Sequence, residues 1–168
     1  MAARAKFFDG LATLMGKAPS VANVEAAGIL PRAAFYSQVV PDSTEGRQSW
    51  NRGLDFIIRE ERPDLVFFDP DNGIEVSSKP VGHKDSSKYV TWKELKSTWN
   101  TGASLVVYQH FIREEREGFI ERLTQRLKEE TSATAEVHYL RTPHVVFLLA
   151  AQPHHAAKLS AAISSIDI

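Results

Sequence analysis

The chain has no cysteine among its 168 residues. That excludes disulfides and thiolate metal sites, and it suits a cytoplasmic location. No apolar run approaches the roughly 20 residues of a membrane span, so no membrane partner is expected. The opening "MAARAKFFDG" lacks the apolar core and cleavage site of a signal peptide. Neither sign of charge dominates. With a net charge of −1, no global field draws the chain onto nucleic acid, although a local basic groove stays open. Internal repeats and low-complexity tracts are also missing. What is present is an apolar fraction of 43% and a charged fraction of 24%, ordinary for a globular protein. The length suits one domain over residues 1–168, with core enough to need no staple.

Hydrophobic spacing organises the chain. Phe7, Phe8, Leu11, Leu14 and Met15 predict a helix over 4–17. "SVANVEAAGI" predicts a short helix ended by Gly28, and "AAFYSQVV" a strand closed by Pro41. Trp50, Leu54, Ile57 and Ile58 mark an amphipathic helix that Pro63 breaks. "DLVFFD" is apolar, short and flanked by prolines, as in a strand buried on both faces. A long polar loop, residues 77–90, follows. Such loops often carry function. "TWKE" reads as a capping box opening a helix to about Trp99. "ASLVVYQ" is a second buried-type strand, and a charged helix is expected over about 112–130. "AEVHYL" and "HVVFLLAA", separated by "RTP", predict an antiparallel hairpin. A last helix closes the chain. The expected fold is α/β: three layers around a mostly parallel sheet with a C-terminal antiparallel hairpin.

This order resembles the C-terminal half of a class I, Rossmann-like S-adenosylmethionine-dependent methyltransferase. In that fold the last two strands form such a hairpin, and one of them is the lone antiparallel strand. "DPDNG" falls where amino-group methyltransferases carry (D/N)-P-P-(Y/F/W). Asp69 and Pro70 match its first two positions, whereas Asp71 and Asn72 replace the second proline and the base-stacking aromatic. The chain also resembles an uncharacterised bacterial family that shares "DLVFxDPDNG(L/I)EV", "SSKYVxWxEL", "YQHFxR" and "RTPHVxFLLAAQP". These motifs stand at 64–76, 86–95, 108–113 and 141–153. The likeness runs from about residue 24 onward and implies kinship without an activity. No Gly-rich turn precedes residue 60, so S-adenosylmethionine is a candidate cofactor whose binding loop is not found. The family is expected to carry more sequence upstream. The chain is therefore expected to start at an internal methionine or to be a shortened version, a truncated Rossmann-like domain lacking its cofactor-binding strands.

The candidate site lies around "DPDNG". Ligands of open α/β sheets sit beyond the carboxyl ends of strands, and Asp69 ends one. Asp69, Asp71, Asn72, Glu75 and His110 are the candidate catalytic residues. Lys84, Ser86, Ser87, Lys88 and Gln109 are candidate substrate-binding residues, the loop hydroxyls and lysines suiting phosphate. Alternation lets only one of Gln109 and His110 face a given side. Each candidate has a plainer role. Asp, Pro, Asn and Gly are turn residues, and the loop could be merely solvated. Arg141–His144 shape the hairpin turn, His154 and His155 are surface residues, and Trp50, Trp92 and Trp99 are core. The charge run "REEREGFIERLTQRLKEE" is a solvated helix face.

The leading expectation is a methyltransferase-like protein acting on nucleic acid, with Asp69 orienting the acceptor group. The alternative is a hydrolase or nuclease, with Mg²⁺ or Mn²⁺ held by Asp69, Asp71 and Glu75 and water activated by His110. A non-catalytic binding module is the third reading. Loss of central strands would expose a sheet edge. Either homo-oligomers form through that edge, or "AAFYSQVV" moves in to pair with "DLVFFD".

Overall fold

A computed structural model of the chain describes residues 21–165. The helix expected over 4–17 lies outside them. The chain falls into two compact units, Met1–Val39 and Val40–Ile168. In the first, helix α1 spans Val21–Ala26. Gly28 follows with a φ of 59°, the left-handed turn that ends a helix at glycine. The strand expected over 33–40 is not formed. A strand needs a ladder to satisfy its backbone, and this segment has none; Val39 is 90% exposed.

The second unit is mixed α/β with one open four-stranded sheet. Helix α2 (Thr44–Glu61) starts at Ser43, whose hydroxyl accepts the Gly46 N–H. It ends where Arg62 turns left-handed ahead of Pro63. Strand β1 (Leu65–Phe68) is short because Pro63 and Pro70 bound it. A 3-10 turn covers Ser86–Lys88. Helix α3 (Trp92–Trp99) carries the expected capping box, Thr91 with Glu94. Strand β2 (Ser104–His110) leads to helix α4 (Arg116–Glu130), then the hairpin β3 (Glu136–Arg141) and β4 (Val145–Ala151), then helix α5 (Ala156–Ser164). Helix α4 starts four residues later than its apolar spacing suggests. The Glu115 carboxylate caps it, accepting the Glu117 and Gly118 N–H groups, so 111–115 form a loop.

The strand order is β1-β2-β4-β3. β1 and β2 are parallel. β4 lies between β2 and β3 and runs against both. On one face Leu105 and Val107 stand opposite Ala150 and Leu148, all fully buried. α3 packs on β2, and α4 on β3 and β4, bringing Leu95, Trp99, Phe119, Ile120 and Leu127 into the core. Each fully buried leucine contributes about 1.5–3 kcal/mol. Among the described residues β1 has a ladder on one side only. Its outward residues Leu65 and Phe67 remain 39% and 54% exposed.

Arg47 of α2 ties that helix to α3. It is 3% exposed, and its guanidinium grips Glu94 through Nε–H to Oε1 at 2.5 Å and Nη2–H to Oε2 at 2.7 Å. Nη2 also donates to the Tyr89 carbonyl at 2.7 Å. Glu94 thus serves two ends, since its Oε2 accepts the Thr91 N–H at 2.8 Å.

Candidate functional site at the ends of β1 and β2

The chain leaves β1 at Phe68 and turns at once. Gly73 N–H reaches back to the Pro70 carbonyl at 3.4 Å. Residues 72–75 then run beside 88–90: Asn72 N–H donates to Lys88 O at 2.9 Å, Val90 N–H to Gly73 O at 3.0 Å, and Glu75 N–H to Val90 O at 2.9 Å. The long loop therefore leaves the rim and is stapled back to it.

Gln109 decides how the turn meets the sheet. It is 3% exposed. Its Oε1 accepts the Ile74 N–H at 2.8 Å, and its Nε2 donates to the His110 carbonyl at 2.8 Å. Of the pair left open by alternation, Gln109 points inward as a structural clamp and His110 reaches the surface. The His110 ring meets Tyr108 edge-on, with centroids 4.9 Å apart and the phenol oxygen 3.2 Å from Nε2.

Asp69 is exposed at the surface, yet desolvation by the surrounding protein raises its carboxyl above the ordinary range. Asp71 adds to the rise, and His110 opposes it. Asp69, Asp71 and His110 thus form one electrostatic group. Glu75 belongs partly to the scaffold, because its Oε1 accepts the Trp92 N–H at 2.8 Å. A carboxylate at a helix N-terminus is favourable there.

The expected phosphate loop has an internal anion instead. Ser86 is buried, and its hydroxyl lies 3.3 Å from both the carbonyl and Oδ1 of Asp42. The same carboxylate accepts the Ser87 N–H at 2.7 Å and the Asp85 N–H at 3.0 Å. These bonds, led by Ser87, hold Asp42 down at about 2. Lys88 pairs with Asp85 at 3.3 Å, and the Lys84 carbonyl accepts a hydrogen bond from Lys79. Ser86 and Ser87 are therefore loop-fixing residues, and Lys84 and Lys88 flank them on the surface. Asp42 went unnoticed because nothing near it in sequence marks it as the partner of a loop some 45 residues away.

A groove of about 560 Å³ opens beside the turn. Its lining includes Asp71, Asn72 and Glu75 of the turn, His110, Phe111 and Ile112 after β2, and the aromatic residues Tyr89, Trp92 and Phe119. Helix α4 contributes Arg122, Leu123 and Arg126. The volume falls in the usual range for small-ligand sites. The Arg126 guanidinium lies 4.7 Å from the Trp92 ring centroid and that of Arg122 5.5 Å from the Phe119 ring. Arg122 and Arg126, exposed as the charge run suggests, thus also line the groove. Their signal was the 119, 122–123, 126 spacing, which continues the buried stripe of α4.

Among the described residues no group of three or more His, Cys, Asp or Glu is placed to hold a metal ion. Asp69, Asp71 and Glu75 are not such a set. Nor do the described residues offer a strand before Leu65 from which a Gly-rich cofactor turn could spring. They therefore do not fit S-adenosylmethionine.

No family model matches the chain, and neither a curated protein nor a solved structure does so. The chemistry must be read from the geometry itself.

Among the described residues, two Ser–His–acid groups lie away from this groove. At the opposite end of β2, His155 Nδ1 lies 3.0 Å from Ser104 Oγ and Nε2 lies 3.5 Å from Asp64 Oδ1. Ser104 is fully buried, so it is no nucleophile. The contact shows that His155, expected at the surface, anchors α5. In the second group Ser160 and Glu136 share the same ring nitrogen of His138. A relay needs both nitrogens, so this too is structural.

Proposed function

We propose that the groove at the ends of β1 and β2 is the acceptor-side site of a methyltransferase-like α/β domain and that it receives a planar, amino-bearing ring. A nucleic-acid base is the first class to test. One observation carries the reading: Asp69, Asp71 and Asn72 follow the end of β1 beside a groove whose lining includes Tyr89, Trp92 and Phe119. Carboxylate and amide oxygens accept hydrogen bonds from an exocyclic amine, and aromatic side chains favour a flat ring. The sheet supports the fold side of the reading. β4 is the one strand running against the others, as the resemblance implies. Asp69, with its carboxyl held protonated to higher pH than usual, and His110, oriented by Tyr108, would handle a proton at the amine.

The metal-dependent alternative has no comparable support, since its three acids do not converge. Self-association remains a proposal for the β1 edge, supported by its free backbone groups and the exposure of Leu65 and Phe67.

Calorimetric titration tests the reading. Adenosine and cytidine carry exocyclic amines, whereas inosine and uridine do not. The amino-bearing pair should bind about tenfold tighter or more, because a site built to accept a hydrogen bond is left unpaired by the others. Asp71→Ala should abolish the preference. Equal binding of all four nucleosides would remove the amine from the reading, and no binding at all would remove the ring.

A further inference from the structure

We infer that Arg122 and Arg126 form a phosphate subsite on α4, so that the groove takes a phosphate-bearing nucleotide unit rather than a free base. The inference rests on the reading of this groove as the place of an amino-bearing ring.

The two arginines are four residues apart, which puts them on one face of α4. Both line the groove. Each guanidinium lies over an aromatic ring of that groove, Trp92 for Arg126 and Phe119 for Arg122. A merely solvated helix face explains their exposure but not this shared seating. Arginine is suited to phosphate, because its planar fork can donate two parallel hydrogen bonds.

Their present partners leave capacity. Arg126 approaches Glu130 only to 3.9 Å, beyond hydrogen-bond distance, so that contact uses none of its five donors. Arg122 is held by Glu114 through both Nη atoms, with Nη2 to Oε2 at 2.8 Å. That pair is solvent-exposed but doubly bonded, so a phosphate must compete with the carboxylate for the same fork. A phosphate arriving at Arg122 would displace Glu114, which makes Glu114 a built-in competitor.

The groove also fixes direction. Asp71 and Glu75, which also line the groove, repel a phosphate. The arginines attract it. A nucleotide unit therefore enters with its phosphate toward the α4 arginines and its amino-bearing ring toward Asp71 and Asn72. A free mononucleotide and a nucleic-acid strand share this chemistry.

The test titrates the full chain with adenosine, with adenosine monophosphate and with a short single-stranded oligo-deoxyadenylate. The monophosphate should bind about tenfold tighter than adenosine at low salt, and the advantage should shrink as salt rises. In Arg122→Gln/Arg126→Gln the ratio of the two affinities should fall to about one. In Glu114→Gln the ratio should rise above that of the wild type, an outcome that a structural role for the arginines does not produce. If the oligonucleotide loses affinity in the double variant as the monophosphate does, the natural source is a strand; if only the monophosphate responds, it is a free nucleotide. Equal wild-type binding of adenosine and the monophosphate overturns the subsite and leaves the ring site standing. Failure of all three ligands to bind overturns both.

Discussion

The Gln109 side chain occupies the space that a Cβ on Gly73 would need. Such an atom would lie 2.4 Å from Gln109 Oε1 and 2.5 Å from its Cδ and Nε2. Gly73 also has a φ of 90°, a region where other residues are strained. The amide cannot simply swing away, because it holds Ile74 N–H and the His110 carbonyl. Turn and strand are therefore one locked unit, and Gly73 is what lets the lock close.

Gly73→Ala should cost about 1–3 kcal/mol from backbone strain, with a further loss from the displaced amide. Gln109→Ala in the same chain should recover only the displacement part. Urea unfolding of the single and double variants measures both. Purely additive effects would mean that the two residues do not interact.

Asp69 gives a pH signature. Its carboxyl is raised, so the folded protein binds its proton at pH values where the unfolded chain has released it. Stability therefore falls as pH rises from the unfolded value of about 3.9 through the raised one. Asp69→Asn removes that penalty. The variant should gain on the wild type across this window and keep the gain above it, by less than about 1 kcal/mol because solvent screens an exposed group. Its binding of amino-bearing nucleosides should weaken. Thermal unfolding against pH reads the first effect and calorimetry the second.

Asp42 has the opposite sign. Its carboxyl is held down at about 2, so its contribution is fully present above about pH 4 and is lost as pH falls through about 2. Asp42→Ala should lower the midpoint of thermal unfolding at neutral pH and raise amide exchange at Asp85 and Ser87. The difference from wild type should close over that acid window.

Arg47 and Glu94 are both buried and bonded through two nitrogens. Arg47→Met should cost about 3–5 kcal/mol, because it strands a buried carboxylate. Glu94→Gln keeps the cap that opens α3. Adding it to Arg47→Met should restore part of the loss, measured by denaturant unfolding.

Much of the fold was legible in local pattern. Apolar runs bounded by proline marked β1, and the Thr91–Glu94 spacing marked the start of α3. The short "RTP" link marked the hairpin. These signals are local, so sequence carries them directly. The strand expected over 33–40 failed because β-propensity cannot supply a ladder partner. Asp42 and Arg47 escaped notice because their partners are far away in sequence. Asp69, Asp71, Asn72 and His110 stand at or just after the ends of β1 and β2, where their sequence positions put them. Gln109, Ser86 and Ser87 had the polarity of ligand-binding groups, but Gln109 spends it on Ile74 and His110, and Ser86 and Ser87 on Asp42.

The most direct measurement is the map of backbone and indole N–H chemical-shift changes when adenosine is titrated into the ¹⁵N-labelled chain. The account predicts saturable shifts at Asp71–Val76, at Tyr89 and the Trp92 indole, at His110–Ile112 and along Arg122–Arg126, with little change at Ser104, His138 or His155. Shifts confined to those last three, or no saturable shift anywhere, would contradict it.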